Sequence, residues 1–97
     1  MRWNLEMLRT HRERILALAA ARGAGNVRVF GSVARGDATP GSDVDFLVEF
    51  EPGRSLFDHG ELLMDLEEEL GCKVDVVSAR ALRDRFRERV IREAVPL

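Results

Sequence analysis

The segment from Asp43 to Phe50 (DVDFLVEF) restricts the possible fold more than any other part of the chain. Successive side chains of a strand point to opposite faces. One face would carry Val44, Phe46, Val48 and Phe50, and the other Asp43, Asp45, Leu47 and Glu49. The pattern predicts a strand with a fully apolar face and a second face that carries carboxylates. A chain of 97 residues that is 45% hydrophobic and 33% charged fits one small folded domain, expected over residues 1–97.

The remaining pattern predicts alternating helices and strands around this segment. Apolar residues recur at helical spacing in three places, and two further β-branched runs predict strands. The expected helices cover 3–22, 56–70 and 81–95, and the expected strands cover 26–32, 43–50 and 73–78. Because a helix joins the last two strands, these two should be parallel, so we expect an α/β (α+β) fold with a small mixed three-stranded sheet flanked by helices. The expected strand contributions to the core are Val27, Val29, Val44, Phe46, Val48, Val74 and Val76.

Three aspartates occupy strand positions that packing does not explain. Asp43 and Asp45 share one face about 6.6 Å apart, and Asp75 interrupts the otherwise valine-rich third strand. Aspartate is a poor strand former, and neighbouring carboxylates repel each other unless a cation lies between them. An isolated Asp-x-Asp is often only a turn acid followed by a solvent-facing one. Converging carboxylates, in contrast, make an oxygen-rich pocket of the kind that binds Mg²⁺.

A glycine–serine pair lies at the end of the first strand. Gly31 would let a phosphate approach the backbone, Ser32 offers a hydroxyl, and the following turn offers free N–H groups. The Gly-x-x-x-x-Gly-Lys-[Ser/Thr] motif of a P-loop is absent. The combination of Gly-Ser, ten residues and Asp-Val-Asp indicates a phosphate cradle beside a carboxylate metal site. This arrangement is typical of metal-assisted phosphoryl or nucleotidyl transfer.

The segment GSVARGDATPGSDVDFLVEF resembles the signature of the DNA polymerase β-type nucleotidyltransferases, and specifically of the minimal nucleotidyltransferases. The resemblance extends to the third carboxylate in KVDVV and to the C-terminal IREAVPL. It implies a polymerase β-type palm that uses ATP. It also implies that Asp43, Asp45 and Asp75 hold two Mg²⁺ ions and that Gly31 and Ser32 bind the nucleotide phosphates.

The same resemblance implies a partner. Minimal nucleotidyltransferases are typically encoded beside a small helical HEPN protein, for which they act as antitoxin by transferring AMP from ATP to a tyrosine. A related hypothesis keeps this chemistry and makes a small molecule the acceptor. A hypothesis from another class is a non-catalytic antitoxin that neutralises its partner by occlusion. A small chain has little room to enclose a base and an acceptor, so a second chain is expected in either case.

The other polar residues leave alternatives open. Arg35 could bind a phosphate or pair with Asp37, and Ser42 could orient Asp43 or only stabilise a turn. The arginine-rich C-terminal helix is a solvated face or a docking surface for an acidic partner. A net charge of −2 gives no reason to expect direct nucleic-acid binding, and no apolar run is long enough for a membrane span. A single cysteine, Cys72, fits a cytoplasmic location.

Overall fold

The computed structural model of the chain describes residues 2–97 and contains one mixed sheet. Its strands are β1 (Ala24–Phe30), β2 (Val44–Phe50), β3 (Val74–Ser78) and β4 (Val95–Pro96). They lie in the order β3-β2-β1-β4, with β2 antiparallel to β1 and parallel to β3. The expected α/β class is therefore confirmed.

The expected number of three strands is wrong, because the C-terminus adds a fourth. In β4, Val95 pairs with Val29 and Pro96 pairs with Arg28 across an antiparallel ladder. Proline cannot donate a ladder hydrogen bond, but β4 is an edge strand, where one side of the backbone needs no partner. The guanidinium of Arg9 donates to the Pro96 carbonyl at 3.0 Å and further holds this segment to the first helix.

In the described part of the chain, five helices and one 3₁₀ turn surround the sheet. They are α1 (Leu5–Thr10), α2 (Arg12–Ala21), α3 (Gly31–Arg35), α4 (Leu56–Leu70), the 3₁₀ turn Ala79–Ala81, and α5 (Asp84–Glu93). The continuous helix expected over 3–22 is interrupted at His11. Just before the break, the Thr10 hydroxyl donates to the Met7 carbonyl at 2.6 Å, a local bond of the kind that competes with regular helix hydrogen bonding.

Helix α4 provides the crossover between the parallel strands β2 and β3. It begins with a capping box, in which Ser55 Oγ accepts from the Phe57 amide at 3.2 Å and Asp58 accepts from the Ser55 amide at 3.1 Å. It ends at Gly71, which has the left-handed φ of 65° that favours glycine. These two signals explain why the expected and observed bounds of α4 agree.

The first face of the sheet is covered by α1, α2 and α4. Among residues 2–97, eighteen buried residues form this main core, and they include every strand residue expected there. Phe46 and Val48 of β2 are fully buried against Ile15 of α2 and Leu62 of α4. This face is the apolar side of β2 predicted from the alternation.

Within residues 2–97, the small apolar cluster on the second face is covered by the 3₁₀ turn and α5. Five buried residues form its small cluster: Phe30, Leu47, Ala79, Leu82 and Val90. Helix α5 is shorter than the expected 81–95 and buries only Val90, and Phe86 on the same helix is 56% exposed. The second face therefore has a small apolar centre. This cluster does not extend to the end of the sheet that carries the aspartates.

Candidate active site

The three aspartates lie at one end of the sheet. Asp45 on β2 is the register partner of Asp75 on the parallel strand β3, so the two share a face. Asp43 immediately precedes β2 and is not part of the strand, contrary to the expected start at 43. Asp45 is half-buried, and Asp43 and Asp75 are exposed. The structure thus gathers three carboxylates that the sequence places up to 32 residues apart.

The electrostatic consequence is concentrated on Asp45. Burial, the charge of Asp75 and the charge of Asp43 raise the pKa of the Asp45 carboxyl to about 6, and the charge of Arg35 partly offsets them. A carboxylate with such a pKa is held in its charged form at a cost in free energy. A bound cation would remove that cost, so the repulsion among these groups favours binding of a cation.

Gly31 packs directly against this carboxylate. It begins α3 with φ 72°, and a Cβ added at this position would collide with Asp45 Oδ2 and lie 3.1 Å from Asp45 Cγ. Glycine is therefore required here both by the backbone conformation and by the space that Asp45 occupies. The sequence interpretation explained Gly31 by phosphate approach alone, and the structure adds the contact with Asp45 as a second reason.

Ser32 follows in the first turn of α3, not at the end of β1 as the sequence pattern indicated. The N-cap residue of this helix is Phe30, whose side chain makes no capping hydrogen bond. The Ser32 carbonyl accepts from the amides of Gly36 and Asp37, both at 3.0 Å, which closes the turn after α3. Ser32 is half-buried, and its hydroxyl makes no hydrogen bond to any residue among 2–97.

Arg35 and Ser42 both make hydrogen bonds within the chain. Arg35 donates to Asp37 and to Glu93 of α5, both at 3.3 Å. Ser42 Oγ accepts from the Thr39 amide at 2.9 Å, so its hydroxyl stabilises the turn before β2.

The donor set fits Mg²⁺, provided that part of the coordination comes from elsewhere. The available groups are carboxylates on one face, which are the hard oxygen ligands that Mg²⁺ prefers. Among residues 2–97, no three His, Cys, Asp or Glu side chains stand close enough to form a metal cage on their own. Mg²⁺ commonly binds through one or two carboxylates together with substrate phosphates and water, which agrees with this partial set.

Two histidines and one acid, in contrast, have structural partners. His59 lies 2.6 Å from the Val76 carbonyl through Nε2, and His11 Nδ1 lies 3.0 Å from Glu69 Oε2. Glu49 is on the same face as Asp45 but accepts from Arg28 at 3.1 Å and from Asn26 at 2.6 Å. These residues therefore do not extend the aspartate cluster.

No described helix has the length and apolar content that a membrane span requires.

Comparison with known proteins matches this arrangement to one family. The profile of the nucleotidyltransferase domain covers residues 8–97. Protein adenylyltransferase MntA of Thermococcus cleftensis is 44% identical over 73 residues, which are 75% of this chain and 74% of that protein. MJ0435 of Methanocaldococcus jannaschii, a candidate protein adenylyltransferase, is 37% identical over 84 residues, 87% of this chain and 90% of that protein.

Solved structures show the same fold. A candidate minimal nucleotidyltransferase is 57% identical, with a TM-score of 0.87 over 97% of this chain and 96% of that one. A toxin–antitoxin crystal structure with AMP-PNP aligns with a TM-score of 0.75 at 22% identity, over 87% of this chain and 69% of that one. The resemblance inferred from the sequence motif is confirmed. The chain belongs to the nucleotidyltransferase domain family and is similar to its minimal nucleotidyltransferases.

Proposed function

We propose that this chain is a Mg²⁺-dependent protein adenylyltransferase that transfers AMP from ATP to a tyrosine of a helical HEPN-type toxin and thereby acts as its antitoxin. The observation that carries the proposal is the position of Asp45. It lies between Asp75 on the neighbouring strand and Gly31 at the start of α3, and its pKa is raised to about 6. A protein that only blocked its partner would gain nothing from this repulsion.

Each residue of the site then has a role in nucleotidyl transfer. Asp43, Asp45 and Asp75 would hold two Mg²⁺ ions, which supply charge neutralisation of the triphosphate and activation of the acceptor hydroxyl. Gly31 and the Ser32 hydroxyl and amide would bind the β- and γ-phosphates. Arg35 contributes positive charge near Asp45, although its guanidinium is shared by two carboxylates.

The reaction is an in-line displacement at the α-phosphorus of ATP. The acceptor oxygen forms a bond to the α-phosphorus, and the bond from that phosphorus to the bridging oxygen of the β-phosphate breaks. Pyrophosphate leaves on the side of Gly31 and Ser32. The proton of the acceptor hydroxyl passes to Asp75 or to solvent, since Asp75 is an exposed carboxylate on the side of Asp45 opposite Gly31.

The nature of the acceptor is inferred from the relatives and from one feature of composition. The relatives described above are a protein adenylyltransferase and a candidate protein adenylyltransferase, and a structure with the same fold is a toxin–antitoxin pair. The present chain contains no tyrosine, so a tyrosyl acceptor must come from another chain. Since ATP is a cytoplasmic substrate, we expect the protein to act in the cytoplasm.

The test uses the purified chain, its neighbouring-gene partner, Mg²⁺ and α-labelled ATP. We expect the partner to gain mass in whole AMP units on tyrosine, and Asp43→Asn or Asp45→Asn to abolish the transfer. Glu49→Gln is the matched control, because Glu49 lies on the same strand and face as Asp45 but pairs with Arg28 and Asn26. Undiminished labelling by either aspartate variant would contradict the assignment of the site.

The same experiment separates the two alternative functions. A catalytic antitoxin silences many partner molecules per copy, needs ATP, and leaves the partner modified after it is removed. Occlusion needs about one copy per toxin, is independent of ATP, and persists in the Asp43→Asn/Asp45→Asn double variant. Transfer of AMP to a small hydroxyl compound, with the partner unlabelled, would favour the small-molecule acceptor.

A further inference from the structure

Residues 80–92 concentrate positive charge on the second face of the sheet. Six arginines and two acids give this segment a net charge of +4, whereas the whole chain carries −2. The arginines are Arg80, Arg83, Arg85, Arg87, Arg89 and Arg92. Within residues 2–97, none of the six forms a salt bridge. Their charges are therefore free to attract another molecule.

Three of these arginines form a stripe along the outer side of α5. Arg85, Arg89 and Arg92 recur at i, i+4 and i+7, which places them on one side of the helix, and all three are exposed. Like charges at these spacings repel each other and destabilise a helix. Glu88 lies between them in sequence but makes no salt bridge within residues 2–97. Carboxylates of a bound protein would remove this repulsion.

An exposed aromatic ring adjoins the stripe. Phe86 is 56% exposed and lies next to Arg85 in sequence and three residues before Arg89, so it borders both on the helix surface. Arginine and aromatic residues are enriched at protein interfaces and dominate their binding energy. A helix side that is only hydrated would gain nothing from an exposed phenyl ring. We call Arg85, Phe86, Arg89 and Arg92 together the arginine surface.

The arginine surface continues toward the aspartate end of the sheet. Glu93 follows Arg89 by four residues and Phe86 by seven, so it lies on the same edge of α5. Glu93 accepts from Arg35 of α3 at 3.3 Å, and Gly31, the first residue of α3, packs against Asp45. A protein bound to the arginine surface would therefore be held beside the candidate active site.

We propose that the arginine surface is the docking site for the protein that receives AMP, and that this protein presents carboxylates around an apolar patch. The inference rests on the proposed function and adds to it the surface that selects the substrate. It favours the docking surface over the solvated face, the two alternatives that the sequence left open for this helix. A nucleic acid fits less well, because the negative net charge of the chain and the nearby aspartates repel a phosphate backbone.

The test measures AMP transfer at varied concentrations of the neighbouring-gene partner. In the triple variant R85Q/R89Q/R92Q, KM for the partner should rise at least about tenfold, with kcat and the ATP affinity by calorimetry unchanged. The variant should stay folded, because glutamine is a good helix former and the change removes the repulsion along the stripe. A fall in ATP affinity would assign these arginines to the triphosphate and overturn the proposal.

A matched pair of single variants controls for the loss of charge itself. Arg12 is exposed at the start of α2, on the opposite side of the sheet, and makes no salt bridge within residues 2–97. Arg89→Gln should raise KM for the partner about threefold, and Arg12→Gln should leave it unchanged. Equal effects of the two variants overturn the proposal, because they would show that only the net charge of the chain matters.

Salt separates the charged and apolar parts of the arginine surface. For the wild type, KM for the partner should rise between about 50 mM and about 500 mM NaCl, because salt screens exposed charges. The triple variant should lose this dependence. Phe86→Ser should keep the dependence and have a higher KM at every salt concentration, since it removes only apolar contact. A wild-type KM that is independent of salt overturns the proposal.

The outcomes separate this proposal from the proposed function. If the triple variant modifies the partner with an unchanged KM, the docking site is overturned and the transferase assignment stands. If the wild type transfers no AMP to the partner, the proposed function fails, and sedimentation velocity of the mixed proteins decides the docking site. A complex that the triple variant weakens supports it, and an unaffected or absent complex overturns it. A labelled single-stranded RNA, or a second copy of this chain, that binds the wild type and not the triple variant identifies another occupant and also overturns it.

Discussion

The two faces of the sheet are built in different ways. The face toward α2 and α4 buries a continuous apolar layer from β1, β2 and β3, with Phe46 and Val48 fully inaccessible. The opposite face has a cluster of five buried residues, and beyond it lie Asp45 and Asp75. Within the single strand β2, successive residues alternate between these two environments. The strand therefore contributes to the core with one side and to the candidate active site with the other.

The difference shows how a small chain can tolerate a repulsive site. Burial of apolar side chains is the dominant favourable contribution to folding, and here it is concentrated on the first face. The second face can then carry carboxylates that disfavour the folded state in the absence of a cation. We expect the main core to determine stability and the aspartate end to determine activity, and the predictions below test this separation.

The largest effect is expected from truncation of the main core. Leu62→Ala should lower the free energy of unfolding by about 3–5 kcal/mol, because Leu62 is fully buried in the main core and its truncation leaves a cavity there. Leu82→Ala, the same change in the small cluster, should cost about 2 kcal/mol, since Leu82 lies under the thinly packed α5. Urea denaturation measures both. Equal losses would show that the two faces contribute alike.

The second prediction isolates the contact between Gly31 and Asp45. Gly31→Ala and Gly36→Ala place a side chain at similar positive φ values of 72° and 84°. Both should therefore lose about 1–2 kcal/mol of stability from backbone strain. A Cβ at position 36 meets nothing within 4 Å, whereas one at 31 displaces the Asp45 carboxylate. We expect Gly31→Ala to abolish AMP transfer and Gly36→Ala to retain it, measured at equal folded concentrations. Equal activities would show that Asp45 adjusts freely.

The parts of the fold that sequence predicted correctly have local signals. β2 begins within one residue of its expected start because of its alternation, and α4 has a capping serine and a terminal glycine. β4 has no such signal, since its two residues form a strand only by pairing with β1. The break at His11 lies next to the hydrogen bond of the Thr10 hydroxyl, and apolar periodicity reveals neither.

The candidate site was predictable in part for the same reason. Asp43, Asp45 and Asp75 were identifiable because acids in strands violate strand preference. The contact of Gly31 with Asp45, in contrast, joins the start of α3 to β2 and leaves no trace in local spacing.

The third prediction concerns the pH dependence of stability. The pKa of Asp45 is raised from 3.8 to about 6, so the folded chain binds this proton more tightly than the unfolded chain. The contribution of Asp45 to stability is therefore least unfavourable below pH 3.8, becomes more unfavourable as the pH rises toward 6, and stays so above it. Asp45→Asn removes the penalty and should stabilise the metal-free protein at pH 7 by about 1–2 kcal/mol after allowance for solvent screening.

The measurement compares wild type and Asp45→Asn by urea denaturation with EDTA at pH 7 and at pH 4. The gain should shrink to a small fraction of that value at pH 4, where the wild-type carboxyl is protonated in the folded state and the pH is close to the unfolded-state pKa of 3.8. A variant that is less stable than the wild type at pH 7 would mean that the Asp45 carboxylate is favourably solvated. Glu49→Gln, on the same face, should show no such gain because it loses the ion pair with Arg28.

The smallest effect is expected from Arg35→Ala. Arg35 bridges Asp37 and Glu93, and Arg54 bridges Glu51 and Asp58 far from the site, so Arg54→Ala is the matched control. Surface ion pairs contribute little to stability, and both variants should unfold at nearly the wild-type urea concentration. They should differ at Asp45, because only Arg35 lowers the pKa of that carboxyl. Carbon-detected NMR should show Asp45 in Arg35→Ala titrating above the wild-type pKa, and in Arg54→Ala at the wild-type value.

The ATP affinity of Arg35→Ala should fall less than about fivefold, since the guanidinium of Arg35 is already held by two carboxylates. A loss of about a hundredfold would instead show that Arg35 leaves them to bind the phosphates.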